Sequence, residues 1–251
     1  MLISDDDIII EGAVKRIIHF LRAHPDVSLA YLDAVAFRDQ YTGVENCHGY
    51  KYLSPVEADK VTTDKDEFLH YCRRLFGFTS VYIWATDRVH AIENPEQYFE
   101  TYFLQCYITV LCSNRGNDQL GLIHGPCVAV GEYSIVGNYD LAQVEGVYYK
   151  KMMEFAIQNG YPRKPLEEFF MWKICYLGFY TVLKEKSLGI HNTSIRTLFD
   201  LTKKSPYAWT HLYPAFLVPG FISRWAITVR HKLHKRNVET RVNRPTEENQ
   251  K

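Results

Sequence analysis

The stretch from Ile8 to Phe37 constrains this chain more than any other. Ile10, Val14, Ile17, Ile18 and Leu21 recur at helical spacing, giving one apolar face. Ala23-His-Pro-Asp then breaks the helix, because the residue before a proline is pushed out of helical backbone. Ser28–Phe37 (SLAYLDAVAF) follows as an apolar run that reads as a buried strand. Helix, break and buried strand in this order are elements of an α/β fold.

Directly ahead of this stretch, after Met1-Leu-Ile-Ser, stand three consecutive carboxylates, Asp5, Asp6 and Asp7. Like charges side by side are unfavourable unless something positive neutralises them. A hard divalent cation with oxygen ligands, shared with a diphosphate, would do so. Capping is the other reading. Ser4 or any of the three Asp can accept from the first helical amides, and acidic groups suit the positive end of the helix dipole. A calcium loop of the EF-hand type is excluded, since it alternates its acidic residues around a required glycine.

The rest of the chain follows the same grammar. Arg38–Thr63, with Gly43, Asn46, Gly49 and Pro55, reads as a long loop. A helix is expected over Asp64–Phe76 and a strand over Gly77–Trp84. A helix from Glu93 to Cys112 is opened by Pro95. A strand over Leu120–Val130 is interrupted by His124-Gly-Pro. Helices follow over Leu141–Asn159, Leu166–Leu183 and Ile190–Lys203. The formal net charge is zero, which argues against bulk nucleic-acid binding, and no nucleic-acid partner is expected. Cys47, Cys72, Cys106, Cys112, Cys127 and Cys175 form no CxxC pair and read as free core thiols of a reducing cytosol.

The triplet, the Gly12-Ala13 helix start, the helix, the His24-Pro25-Asp26 turn and the following strand together resemble glycosyltransferase family 2. The later run Gly125-Pro-Cys-Val-Ala-Val-Gly-Glu, after a helix with an aromatic-rich start, looks like that family's abequosyltransferase-type subgroup; the likeness spans about Leu2 to Gly131. It implies a partial GT-A (Rossmann-like) domain and metal-dependent transfer of a sugar from a nucleotide-sugar donor. The acceptor implied is a lipid-linked glycan of cell-surface polysaccharide or O-antigen assembly. By the same resemblance Asp7 and Asp6 hold Mg²⁺ or Mn²⁺, and Asp6 and Asp5 lie on the donor side. Gly77, Thr79 and Ser80 border the acceptor cleft, with His124 as a further acceptor-side group. The family's catalytic base is the Asp of a Glu-Asp pair at a helix start. Glu100-Thr101 stands there, so Glu100 is the candidate, with Glu96 one turn earlier. The family's nucleotide-binding half lies upstream of the triplet, and this chain begins only a few residues before it. The expected division is therefore 1–140 as the C-terminal half of a GT-A domain and 141–205 as a helical extension. Residues 206–237 form an amphipathic basic segment and 238–251 a disordered tail. The alternative function is a non-catalytic remnant that binds an acceptor or a membrane.

Pro206–Arg236 begins aromatic and apolar, is broken by Pro214 and Pro219, and ends basic with Arg224, Arg230, Lys232, Lys235 and Arg236. Phe221, Trp225 and Val229 recur at helical spacing, so one face is apolar and another cationic. Such a helix suits the headgroup plane of an anionic membrane and predicts a cytoplasmic protein, peripheral at the inner face of the cytoplasmic membrane. Docking of the apolar face on the preceding helices is the competing reading.

Overall fold

The structure is a computed structural model and describes residues 1, 3–4, 6–37, 40–49, 56–72, 79–114, 118–131 and 139–229. The chain divides into two compact units. The first comprises Met1–Ser134 and Val147–Phe170, the second Ile135–Gly146 and Met171–Lys251.

The first unit is a mixed α/β layer built on two long strands. Strand β1 (Ile8–Ile9) leads into helix α1 (Ala13–Ala23) and strand β2 (Val27–Phe37). Short strands β3 (His48–Gly49) and β4 (Lys60–Thr62) precede α2 (Lys65–Cys72), β5 (Tyr82–Trp84), α3 (Thr86–His90) and α4 (Leu104–Cys112). The long strand β6 (Gln119–Gly131) completes the sheet, and helix α5 (Tyr149–Gln158) follows. β2 and β6 pair in parallel from Val27/Gln119 to Phe37/Gly131. The short strands all pair antiparallel, β5 and β3 along the two halves of β2, β4 and β1 along the two halves of β6. Ten of the eleven β2 residues are buried, as expected for a strand with neighbours on both edges and layers on its faces.

The triplet precedes a strand rather than ending one. Ile8 and Ile9 pair with Ala129 and Val128, and Gly12, at φ +78°, takes left-handed backbone and delays the helix to Ala13. α1 is rotated from its expected phase. Ala13, Ile17 and Phe20 are buried, while Val14 and Ile18 are exposed. Phe20 sets this phase, because its ring lies against Gly121 of β6, where an added Cβ would stand 2.7 Å from Cε1. The segment 93–112 is not one helix either. Asn94 and Tyr102 both have positive φ, leaving a short 3₁₀ turn at Pro95–Tyr98 before α4.

The second unit is helical. Helix α6 (Arg163–Leu188) enters it, followed by α7 (Ile195–Thr202), α8 (Pro206–His211), α9 (Pro214–Leu217) and α10 (Gly220–Val229). Ser194 caps α7 by accepting from the Thr197 amide at 3.2 Å. Buried Glu185 accepts from the amide and hydroxyl of Thr193 at 3.1 and 2.7 Å, closing the turn between α6 and α7. Among the described residues no single helix is long and apolar enough to cross a membrane. The expected tail, 238–251, lies outside the described residues.

Candidate functional site

The parallel pair gives the sheet a direction, and the carboxyl ends of parallel strands are where open α/β sheets bind ligands. β6 ends at Gly131, opposite Phe37 of β2. Asp7 is held at this end. Its Oδ1 accepts from the Gly131 amide at 3.2 Å, and its Oδ2 accepts from the Ser80 hydroxyl at 2.6 Å. Ser80 is fully buried, and its oxygen in turn accepts from the Ser4 amide at 2.9 Å. Buried Asp7 therefore joins the end of β6, the turn before β5 and the segment before β1. Bonds from hydroxyl and amide to a carboxylate are charge-assisted and hold the ionised form in a buried place. Asp6, next to it, is exposed. Asp5 lies outside the described residues.

The structure thus brings Asp7 and Ser80 together, a pairing across seventy-three positions of sequence. No spacing rule anticipates it, though two polar groups in otherwise apolar surroundings are a signal that they need each other. Thr79 opens the 3₁₀ turn that carries Ser80, and Gly77 lies outside the described residues. Glu96 sits in the 3₁₀ turn before α4 and Glu100 just beyond it, both exposed. Among the described residues no hydrogen bond or ion pair links either to the triplet.

His124 occupies a separate place, in the middle of β6. There β6 spends His124–Cys127 where β2 spends Asp33 alone, since Leu32 pairs with Ile123 and Ala34 with Val128. This irregularity, with Gly125 at φ +75°, is what the sequence presents as an interruption. Arg16 of α1 secures it, donating to the carbonyls of His124 (3.2 Å) and Pro126. The His124 amide donates to Asp59 at 2.8 Å, and its Nδ1 faces the Val56 carbonyl. Asp33 beside it accepts from the Ala34 amide at 3.0 Å, and burial pushes its carboxyl above the usual range. Because of the bulge the distance is counted along β2: Asp33, opposite His124, and Phe37, opposite Gly131, are four strand residues apart, about 13 Å at about 3.3 Å each, so His124 and Asp7 stand at separate places on the sheet.

No protein-family model matches this chain, and no curated protein matches it. The chemistry is therefore read from the donor set alone. Among the described residues no three His, Cys, Asp or Glu side chains are grouped to hold a metal. Asp6 and Asp7 supply hard oxygens of the kind Mg²⁺ and Mn²⁺ prefer, and Mg²⁺ usually takes only one or two carboxylates together with substrate phosphates. Among the described residues one surface depression lies beside Thr63–Asp66, Gly160 and Pro162, and another at the amino ends of β2 and β6 beside Asp26, Asp87 and Arg88.

Proposed function

We propose that the chain takes part in transfer of a sugar from a nucleotide-diphosphate donor to a glycan acceptor, in a partial GT-A domain whose donor side is the acidic triplet. The observation that carries this reading is Asp7, tied to Gly131 and Ser80 at the carboxyl end of the parallel pair, with Asp6 exposed beside it. Asp6 and Asp7 would hold Mg²⁺ or Mn²⁺, which when bound would neutralise charge on the leaving diphosphate. The part of the chain's own residues is positional. Ser80 and Gly131 orient the Asp7 carboxylate, so its neighbour faces the donor without rearrangement. In the transfer itself the acceptor hydroxyl gives its proton to a carboxylate base and bonds to the anomeric carbon. The bond from that carbon to the diphosphate breaks, and its electron pair leaves with the phosphate oxygen. Glu100, with Glu96 before it, is the candidate base on an exposed turn.

A second reading is a non-catalytic acceptor- or membrane-binding module, which needs neither cation nor nucleotide. Calorimetry of the full chain with Mn²⁺ and UDP, GDP or dTDP separates the two. Transfer chemistry requires binding of one Mn²⁺–nucleotide pair, weakened at least about tenfold in Asp6→Ala, a change of about 1.4 kcal/mol. No binding by the unaltered chain, or equal binding by the variant, leaves the module reading standing.

A further inference from the structure

The helical unit carries its own surface. α10 does not pack through its aromatic stripe. Its inner side is small: Ser223 is fully buried, and a Cβ on Gly220 would meet the Lys186 carbonyl at 3.1 Å. Phe221 and Trp225 are therefore turned outward, 74% and 67% exposed. Leu217, at the end of α9, is 84% exposed, and Trp209 of α8 is 59% exposed. Large apolar side chains scattered singly need no explanation, but a cluster within one short segment does.

The corner that displays them is rigidly held. Lys186 of α6 donates to the carbonyls of Ala215, Phe216 and Val218 at 2.9, 2.7 and 3.0 Å. It thereby satisfies the carbonyls that the end of a short helix leaves open. Arg224 donates to the Ser187 carbonyl at 3.2 Å and fastens α10 to the same helix end. The segments Pro206–Leu217 and Gly220–Val229 meet at 108°. Leu217 and Phe221 flank that bend, so the fold projects an apolar corner.

We infer that this corner, Leu217, Phe221 and Trp225 with Trp209, is a monotopic membrane-docking surface that inserts into the interface of an anionic bilayer. Three features choose lipid over a protein partner. Tryptophan at the edge of an apolar patch suits the headgroup boundary, where one part of the ring is dry and the other wet. Every charged residue between Asp200 and Glu239 is Lys or Arg, so the whole segment complements anionic headgroups. And among the described residues no single helix is long and apolar enough to span, while these two segments, bent at 108°, are together apolar enough to enter a bilayer. The inference is independent of the sugar-transfer reading, since none of these residues belongs to the triplet's surroundings.

The test is co-sedimentation of the full chain with phosphatidylglycerol/phosphatidylcholine vesicles and with pure phosphatidylcholine vesicles. It is paired with a Leu217→Glu/Phe221→Glu/Trp225→Glu variant and with sedimentation velocity. These side chains are exposed, so the variant should keep its helical circular dichroism. The unaltered chain should pellet with the anionic vesicles, less so at about 0.5 M salt, where screening shortens to a few ångströms. The variant should partition at least about tenfold more weakly. Failure of the unaltered chain to pellet, or equal pelleting by the variant, overturns the inference. So does a surface whose only measurable effect is on self-association, with the unaltered chain dimeric, the variant monomeric and neither bound to vesicles.

Discussion

At the scale of single residues, Asp7 is the hinge between two readings of the same acidic run. A carboxylate that caps a helix accepts from the first amides of that helix. Asp7 instead accepts from Ser80 and Gly131, groups distant in sequence, and Gly12 at the start of α1 has no side chain to cap with. The price of burying this carboxylate is met only while its donors remain. Ser80→Ala removes the 2.6 Å donor without adding volume, and hydrogen bonds to charged groups are worth about 1.5–3 kcal/mol. The variant should lose about that much stability in urea denaturation followed by circular dichroism. A loss below about 0.5 kcal/mol, the range of neutral surface changes, would mean the pair contributes little.

At the scale of elements, the packing of α1 on β6 decides where Asp7 stands. The helix is seated by Phe20 over Gly121 and by Arg16 on the bulge carbonyls. Residue 121 also faces Ala30 of β2, with a new Cβ only 3.2 Å from that methyl. Neither a ring wedged under a helix nor a strand methyl can retreat cheaply, and overpacking a core costs about 1–3 kcal/mol. Gly121→Ala should destabilise by that amount. Phe20→Leu should relieve part of it, giving a coupling of about 0.5–3 kcal/mol in the double-mutant cycle. Strict additivity would show that the ring does not set the helix position.

At the scale of the whole molecule, the six cysteines report how tightly each unit is closed. None is in a disulfide, and all except Cys47 are buried. Burial pushes the thiols of Cys72 and Cys175 up to about 12 and that of Cys127 up to about 11, although Arg16 acts the other way on Cys127. Since the thiolate is the reactive form, these positions are doubly protected, by access and by protonation. Labelling of the native chain with a maleimide at neutral pH, read by peptide mass spectrometry, should modify Cys47 first. Cys72, Cys127 and Cys175 should follow at least about a hundredfold more slowly, through opening of their units. Comparable rates at all positions would mean the cores are loose.

The order of elements was legible from residue types alone: the helix before His24-Pro25, the buried strand Ser28–Phe37, the strand through Val130 and the helical second half. These depend on local periodicity and on proline and glycine punctuation, which act over a few residues. The apolar stripe of Phe221 and Trp225 was equally visible, but whether it faced inward was not. That depended on Gly220 and Ser223 offering α6 a closer approach. Tertiary structure likewise decided the phase of α1, because Phe20 had to find Gly121, a residue a hundred positions away. It decided the strand at Ile8–Ile9, which exists only because Val128 and Ala129 supply its partners. And it decided the surroundings of the acidic triplet. Three adjacent carboxylates announce a need for positive charge or donors, but the pattern says nothing of where these come from. Ser80 and Gly131 meet Asp7 through the folded sheet, since long-range contacts are set by packing and not by neighbours in the chain.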